Sequence, residues 1–188
     1  MNTEIILSIC LGIGLAASSG FRVFVPLFAL SLASYFGVIP LNDTWAWVGS
    51  TPALIIFAVA SIAESVSYLV PFVDNALDTI AVPLAGLAGT LVMASSLTDL
   101  SPAMTWALAI VAGGGAGAAI KATTATGRAA STMGTAGIAN PVLSVAETGS
   151  AIGLSVLAIF APILAVVAVI LGLILLIWLV VKLKKRHA

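Results

Sequence analysis

Charge is what this chain has least of. Lysine, arginine, aspartate and glutamate make up 7% of its 188 residues and cancel to a formal net charge of zero, whereas an ordinary soluble domain is about 25% charged. No basic face is available to follow a phosphate backbone, so nucleic acid is excluded as a partner. Cys10, the single cysteine, lies inside the first apolar run, which excludes an internal disulfide and a Cys-rich metal site and leaves the redox compartment unreadable. His187 is the single histidine and sits in the terminal tail. A buried Ser-His-Asp triad or a histidine metal site is therefore not expected. The reading is of no metal, no cofactor and no enzyme, since carboxylates and serines occur but no nucleophile–base constellation does. Gly12-Ile13-Gly14-Leu15-Ala16-Ala17 imitates a dinucleotide fingerprint without the alternating strands and helices that would give it meaning. Gly113 to Gly117 has no following Gly-Lys-Ser/Thr and suits close helix contact better than a phosphate.

What the chain does have is apolar length. Hydrophobic residues form 61% of it, and the runs free of charge are 5–21, 23–42, 44–63, 79–98, 100–120, 129–146 and 148–181. A helix needs about 20 apolar residues to cross ~30 Å of hydrocarbon at 1.5 Å per residue. These runs have that size, and the expected fold is all-α: one polytopic membrane domain over 1–188. Lys182, Lys184, Lys185 and Arg186 form the one dense basic cluster, directly after an apolar run. The positive-inside rule makes 182–188 a cytoplasmic tail and the location the cytoplasmic (inner) membrane. The stretch Met1 to Ser19 ends in small residues, yet no Lys or Arg precedes it, so a cleaved signal is not expected.

The punctuation suggests two halves, 1–98 and 99–181. Ala17-Ser18-Ser19-Gly20-Phe21-Arg22 is a small, polar interruption followed by a short apolar segment, 23–38, that contains Pro26. Ala122-Thr123-Thr124-Ala125-Thr126-Gly127-Arg128 echoes it, and Ser61-Ile62-Ala63-Glu64-Ser65 is echoed by Ser144-Val145-Ala146-Glu147-Thr148. Each half then reads as a helix, a hydroxyl-rich break ending in arginine, a short segment, and a proline-started helix bearing glutamate. If both short segments re-enter, six transmembrane helices form an inverted repeat with both termini on one side. If 23–38 spans, there are seven helices and the N-terminus is outside. Trp45 and Trp47 place the loop after Pro40 at an interface. Ala85, Gly86 and Gly89 form a small-residue seam.

A charge at the bilayer centre costs ~2.5–3.5 kcal/mol on insertion scales, so buried charges pair or face a cavity. Glu64 lies twelve residues past Pro52, about 18 Å along a helix, with Ser61, Ser65 and Tyr68 nearby. Glu147 lies six residues past Pro141, with Ser144 and Thr148 beside it. The expected site for a small solute or ion is these two carboxylates with Arg22 and Arg128 and the hydroxyls Ser18, Ser19, Thr123 and Thr124 of the breaks. Asp74 and Asp78 share a helical face near an interface, as a solvated face or a cation access point. Lys121 is expected to snorkel to the headgroups.

The Ala-Ser-Ser-Gly-Phe-Arg break, the Ala63-Glu64 to Asp78 segment and the glycine-rich Lys121 to Glu147 region together resemble an uncharacterised family of small polytopic bacterial membrane proteins. The resemblance covers nearly the whole chain and implies a polytopic membrane fold without a substrate. Function then divides between a transporter-like or channel-like protein with an intramembrane polar site and a membrane scaffold whose charges only pair helices. The implied partners are the lipid bilayer and a small solute or ion, with a homo-oligomer open.

Overall fold

Proline in the first turn starts five helices, because its missing N–H is one of the donors a helix leaves free at that end. Pro52, Pro71, Pro102, Pro141 and Pro162 all do so. In the computed structural model, which describes residues 3–184, the helices are α1 Thr3–Phe21, α2 Phe24–Tyr35, α3 Thr51–Ser67, α4 Pro71–Ser96, α5 Pro102–Leu108, α6 Gly115–Thr135, α7 Asn140–Phe160 and α8 Pro162–Lys184. A 3-10 turn, Asp43–Gly49, carries Trp45 and Trp47 ahead of α3, and a π turn, Ala109–Gly114, joins α5 to α6. No strand occurs among the described residues. Lys185, Arg186 and His187 of the basic tail lie outside them.

Among the described residues, four helical spans are long and apolar enough to cross a membrane: Thr3–Phe21, Ala76–Ser96, Pro102–Thr135 and Asn140–Phe160. The 3-10 turn and α3 qualify together but are bent by 64°, while α2 and Pro162–Leu175 are shorter apolar helices. The chain is thus an all-helical protein with the helices of a multi-pass membrane protein.

Side-chain neighbours give the direction of each helix. Gly12 of α1 faces Met93 of α4 and Ala16 faces Gly89, so these two run antiparallel. Gly20 faces Ile120 and Gly117, and Ala16 faces Gly117, so α6 runs parallel to α1. Against α7 the order reverses: Gly14 meets Ala158, Ser18 meets Ala151 and Ser155, and Arg22 meets Ser144. Helix α8 is parallel to α1, since Ala165 lies at Gly14 while Leu173 shares a cavity with Phe21.

Two expectations change here. Residues 23–38 do not turn back: α2 starts beside Glu64, and the loop after it donates from Asn42 N to Ser95 O and from Asn42 Nδ2 to Leu97 O, at the other end of the bundle. Nor is the second interruption a break. Thr123, Thr124 and Thr126 bond to the carbonyls of Ala119, Lys121 and Ala122 inside α6, so their hydroxyls are satisfied by the helix itself and release no backbone. Helix α6 ends later, where Ala136 takes φ 52° and Gly137 φ 83°. Six crossings with two re-entrant pieces are therefore not seen. The arginine-bearing helices α1 and α6 run parallel whereas the glutamate-bearing α3 and α7 run opposite ways, and one two-fold axis cannot relate both pairs. Pro83 lies inside a continuous α4.

The small-residue seam is present and central. A methyl group at Gly89 would stand 2.4 Å from the carbonyl oxygen of Gly113, and one at Gly117 would stand 2.4 Å from that of Ala85. Backbones at such range leave no room for any side chain, the packing mode that lets helices associate without a hydrophobic drive. Gly89→Val and Gly117→Val are expected to lose about 1–3 kcal/mol of stability. Gly115→Ala, with no atom within 4 Å of the added methyl, should be neutral or slightly stabilising; thermal unfolding in detergent checks all three.

Candidate functional site

The chain pauses between α1 and α2 for Arg22 and Val23 only, and a helix that starts there needs acceptors for its first amides. Glu64 supplies them from α3. Its Oε1 accepts from Val23 N at 2.8 Å and its Oε2 from Phe24 N at 2.9 Å. A carboxylate at a helix N-terminus also meets the positive end of the helix dipole. Glu64 is therefore spent on the backbone of α2 and is not an ion-pair partner within contact distance of Arg22, as the sequence suggested.

Arg22 turns toward α7 instead. Its Nε donates to Thr148 Oγ1 and its Nη2 to Ser144 O, both at 2.9 Å, with a further bond from Nη2 to Ser144 Oγ. Nη1 lies 3.7 Å from Glu147 Oε2 and has no hydrogen-bond partner. Arg128 of α6 has the fuller set: Nε donates to Glu147 Oε1 at 2.9 Å, Nη2 to Glu147 Oε2, and Nη1 to Asp74 Oδ1. This fork-on-fork pairing is the strongest hydrogen-bonded contact a guanidinium makes. Asn140 Nδ2 completes Asp74 at 3.1 Å and also reaches Thr132 Oγ1.

Lys121 and Asp78 form a second loose pair, 3.6 Å apart, with neither Nζ nor Oδ1 in a hydrogen bond. Tyr68, which caps the C-terminus of α3, holds the middle. Its ring lies 4.1 Å from the Arg22 guanidinium carbon, 4.7 Å from Lys121 Nζ and 4.8 Å from the Arg128 guanidinium carbon. Each cation is thus within range of the electron-rich face. Arg22, Lys121, Arg128 and Asp74 are all at most 2% exposed. Tyr68 and Glu64 also line a cavity of about 330 Å³ between α2, α3 and α4, together with Val23, Phe24, Leu77 and Ala81.

Of the residues expected at a site, Arg22, Glu64, Tyr68, Asp74, Asp78, Arg128 and Glu147 come together. Asp74 does so against expectation, being buried in the cluster and not on a solvated face. Ser18 bonds Ala151 O and Ser155 of α7, and Ser19 bonds Leu15 O, both fully buried in helix packing. Ser61 and Ser65 face a separate apolar groove between α2, α3 and α7. Thr123 and Thr124 line a third pocket beside α8. Lys121 does not snorkel: it is 1% exposed and turned into the cluster. Its spacing of seven from Arg128, two helical turns on one face, was the signal that could have found it. Asn140 carries no signal of its own in the sequence, and Ser144 and Thr148 were visible only as neighbours of Glu147; that they hold Arg22 depends on α7 lying antiparallel to α1.

Removing Arg128 strands two buried carboxylates, so Arg128→Leu is expected to cost about 3–5 kcal/mol. Glu64→Ala leaves two helix amides unpaired and should cost about 1–3 kcal/mol, with faster hydrogen exchange at the Val23 and Phe24 amides as its local mark.

No curated protein and no solved structure matches this chain. A family model described as a domain of unknown function (DUF4126) matches residues 9–182. With that match running over nearly its whole length and the helices of a multi-pass membrane protein, the chain belongs to the family of that domain of unknown function.

Proposed function

We propose that the protein is a small transporter-like or channel-like protein of the cytoplasmic membrane, with the charge cluster around Tyr68 as its intramembrane site for a small solute or ion. One observation carries the reading. The chain has seven Lys and Arg residues, four of them in the terminal tail, and the other three all converge on one aromatic ring. Four of its seven acidic residues, Glu64, Asp74, Asp78 and Glu147, join them. Ion pairs that only tie helices would be expected to close on themselves. Here Arg22 Nη1, Lys121 Nζ and Asp78 Oδ1 have no hydrogen-bond partner, and Tyr68, whose ring touches both cations, lines a cavity together with Glu64.

The alternation of chain direction supports a topology. Helices α1, α2, α3, α4, the α5–α6 rod, α7 and α8 make seven passes in turn, so the two termini fall at opposite ends. With the basic tail cytoplasmic, the cluster lies toward the cytoplasmic half and the end bearing Glu4, Trp45 and Asp99 faces outward. In this topology α2 crosses as a short helix completed by the extended chain to Asn42.

A second reading, the scaffold, draws on Arg128 and Glu64, whose polar contacts are complete and which hold α4, α6 and α7, and α2 and α3, together. Purified full-length protein in liposomes separates the two. Glu147→Gln and Asp78→Asn should reduce flux of small ions or solutes, with Asp78→Asn leaving the melting temperature in detergent within a few degrees of wild type. Absence of any wild-type flux, with both variants altering only the melting temperature, would favour the scaffold.

A further inference from the structure

The hydrogen-bond inventory of the cluster is lopsided. Both oxygens of Glu64, of Asp74 and of Glu147 accept hydrogen bonds. Among the cations only Arg128 is fully engaged. Arg22 Nη1 carries two hydrogens and Lys121 Nζ three, and neither atom has an acceptor within hydrogen-bond distance although the two residues are 0% and 1% exposed. Against these five hydrogens stand two acceptors without a partner, Asp78 Oδ1, 3.6 Å from Lys121, and the amide oxygen of Asn140. The cluster is short of acceptors. A buried donor without one costs about 1–3 kcal/mol, more when charged, so an acceptor-rich ligand would gain what the protein itself leaves unmade.

The charge count requires that an anion enter by exchange. Glu64 is matched to the N-terminus of α2, which leaves three carboxylates, Asp74, Asp78 and Glu147, for three cations. Asp78 is the weakest held of these: its side chain is 18% exposed, against 1% for Asp74 and 8% for Glu147. An incoming anion can replace it at Lys121 without raising the net charge beside the cations, while Asp78 turns to water. Tyr68, 4% exposed, lines the cavity and also lays its ring on Arg22 and Lys121, neither of which lines it, so its ring must move for a ligand to pass from one to the other.

We infer that the cavity between α2, α3 and α4 is the vestibule of a site for a small anion, with Tyr68 as its gate, Arg22 and Lys121 as its ligands, and Asp78 as the internal carboxylate the anion displaces. This names the substrate class of the site proposed above and rests on that reading for its transport role, though not for binding.

The test is thermal unfolding of the full chain in detergent, titrated separately with acetate, inorganic phosphate and chloride at constant ionic strength. Wild type should show a saturable rise in melting temperature with at least one of them. Lys121→Met should lose it and Lys121→Arg should restore part of it. Asp78→Asn, which removes the competing charge, should bring the midpoint to an anion concentration about tenfold lower. Should Lys121→Met fail to fold, the opposite shift in Asp78→Asn still decides, because a merely structural ion pair would not sharpen anion binding when cut. No saturable response to any of the three anions, or a weaker response in Asp78→Asn, overturns the inference. Saturable binding without liposome flux would uphold the site and remove the transport role; cation flux with no anion response would do the reverse.

Discussion

A guanidinium that cannot reach water has to be neutralised where it stands, and Arg128 is placed where two neighbouring helices can do it at once. Its fork takes both oxygens of Glu147 on α7 and one of Asp74 on α4, so α4, α6 and α7 are fixed by one group at one depth. Asn140 then closes Asp74 at the start of α7. In a low-dielectric interior such bonds are strong when complete and expensive when broken. That asymmetry makes the cluster the point on which the relative depth of these helices depends.

Close approach is what allows a fork of that reach to be filled. Gly89 against Gly113, and Gly117 against Ala85 and Gly20, bring α1, α4 and α6 within backbone contact, while large apolar side chains such as Ile56, Val59 and Ile62 of α3 and Val142 of α7 point outward. The arrangement is the reverse of a soluble domain: charge inside, hydrocarbon outside. Helix α3 is the exception in its packing, with a cavity toward α4 and an apolar groove toward α7. It is tied down mainly by α2, by the two bonds of Glu64, and by the ring of Tyr68 lying on the cations.

How much of this was legible depends on whether a residue announces its own cost. Arg22, Glu64, Arg128 and Glu147 did, because a charge inside an apolar run has to be explained locally. Pro52, Pro102 and Pro141 marked helix starts for an equally local reason. Hydroxyls did not. Thr123 and Thr126 read as a break, yet a threonine satisfied by its own helix looks the same in sequence as one that caps an end. Asp74 read as solvated because it follows a proline, and Lys121 as a headgroup anchor because its position read as a helix end. Both readings assumed an interface where the fold placed three neighbouring helices. The apparent repeat failed for a related cause: short similar segments in an apolar, small-residue sequence carry no information on chain direction.

Scarcity of charge, the first property of this sequence, together with its long apolar runs, determined that the chain would be helical, that several of its helices would be of membrane-spanning length, and that its few buried ions would matter. Backbone hydrogen bonds and ion desolvation require that of any chain so composed. Which ions meet was decided only by the tertiary structure. Glu64 went to the amides of α2 and not to Arg22, Lys121 and Asp74 joined a cluster gathered on Tyr68, and Arg22 and Lys121 kept donors in reserve. Those outcomes turn on whether helices run parallel or antiparallel and on distances of a few ångströms between residues far apart in the chain, quantities that composition and spacing do not contain.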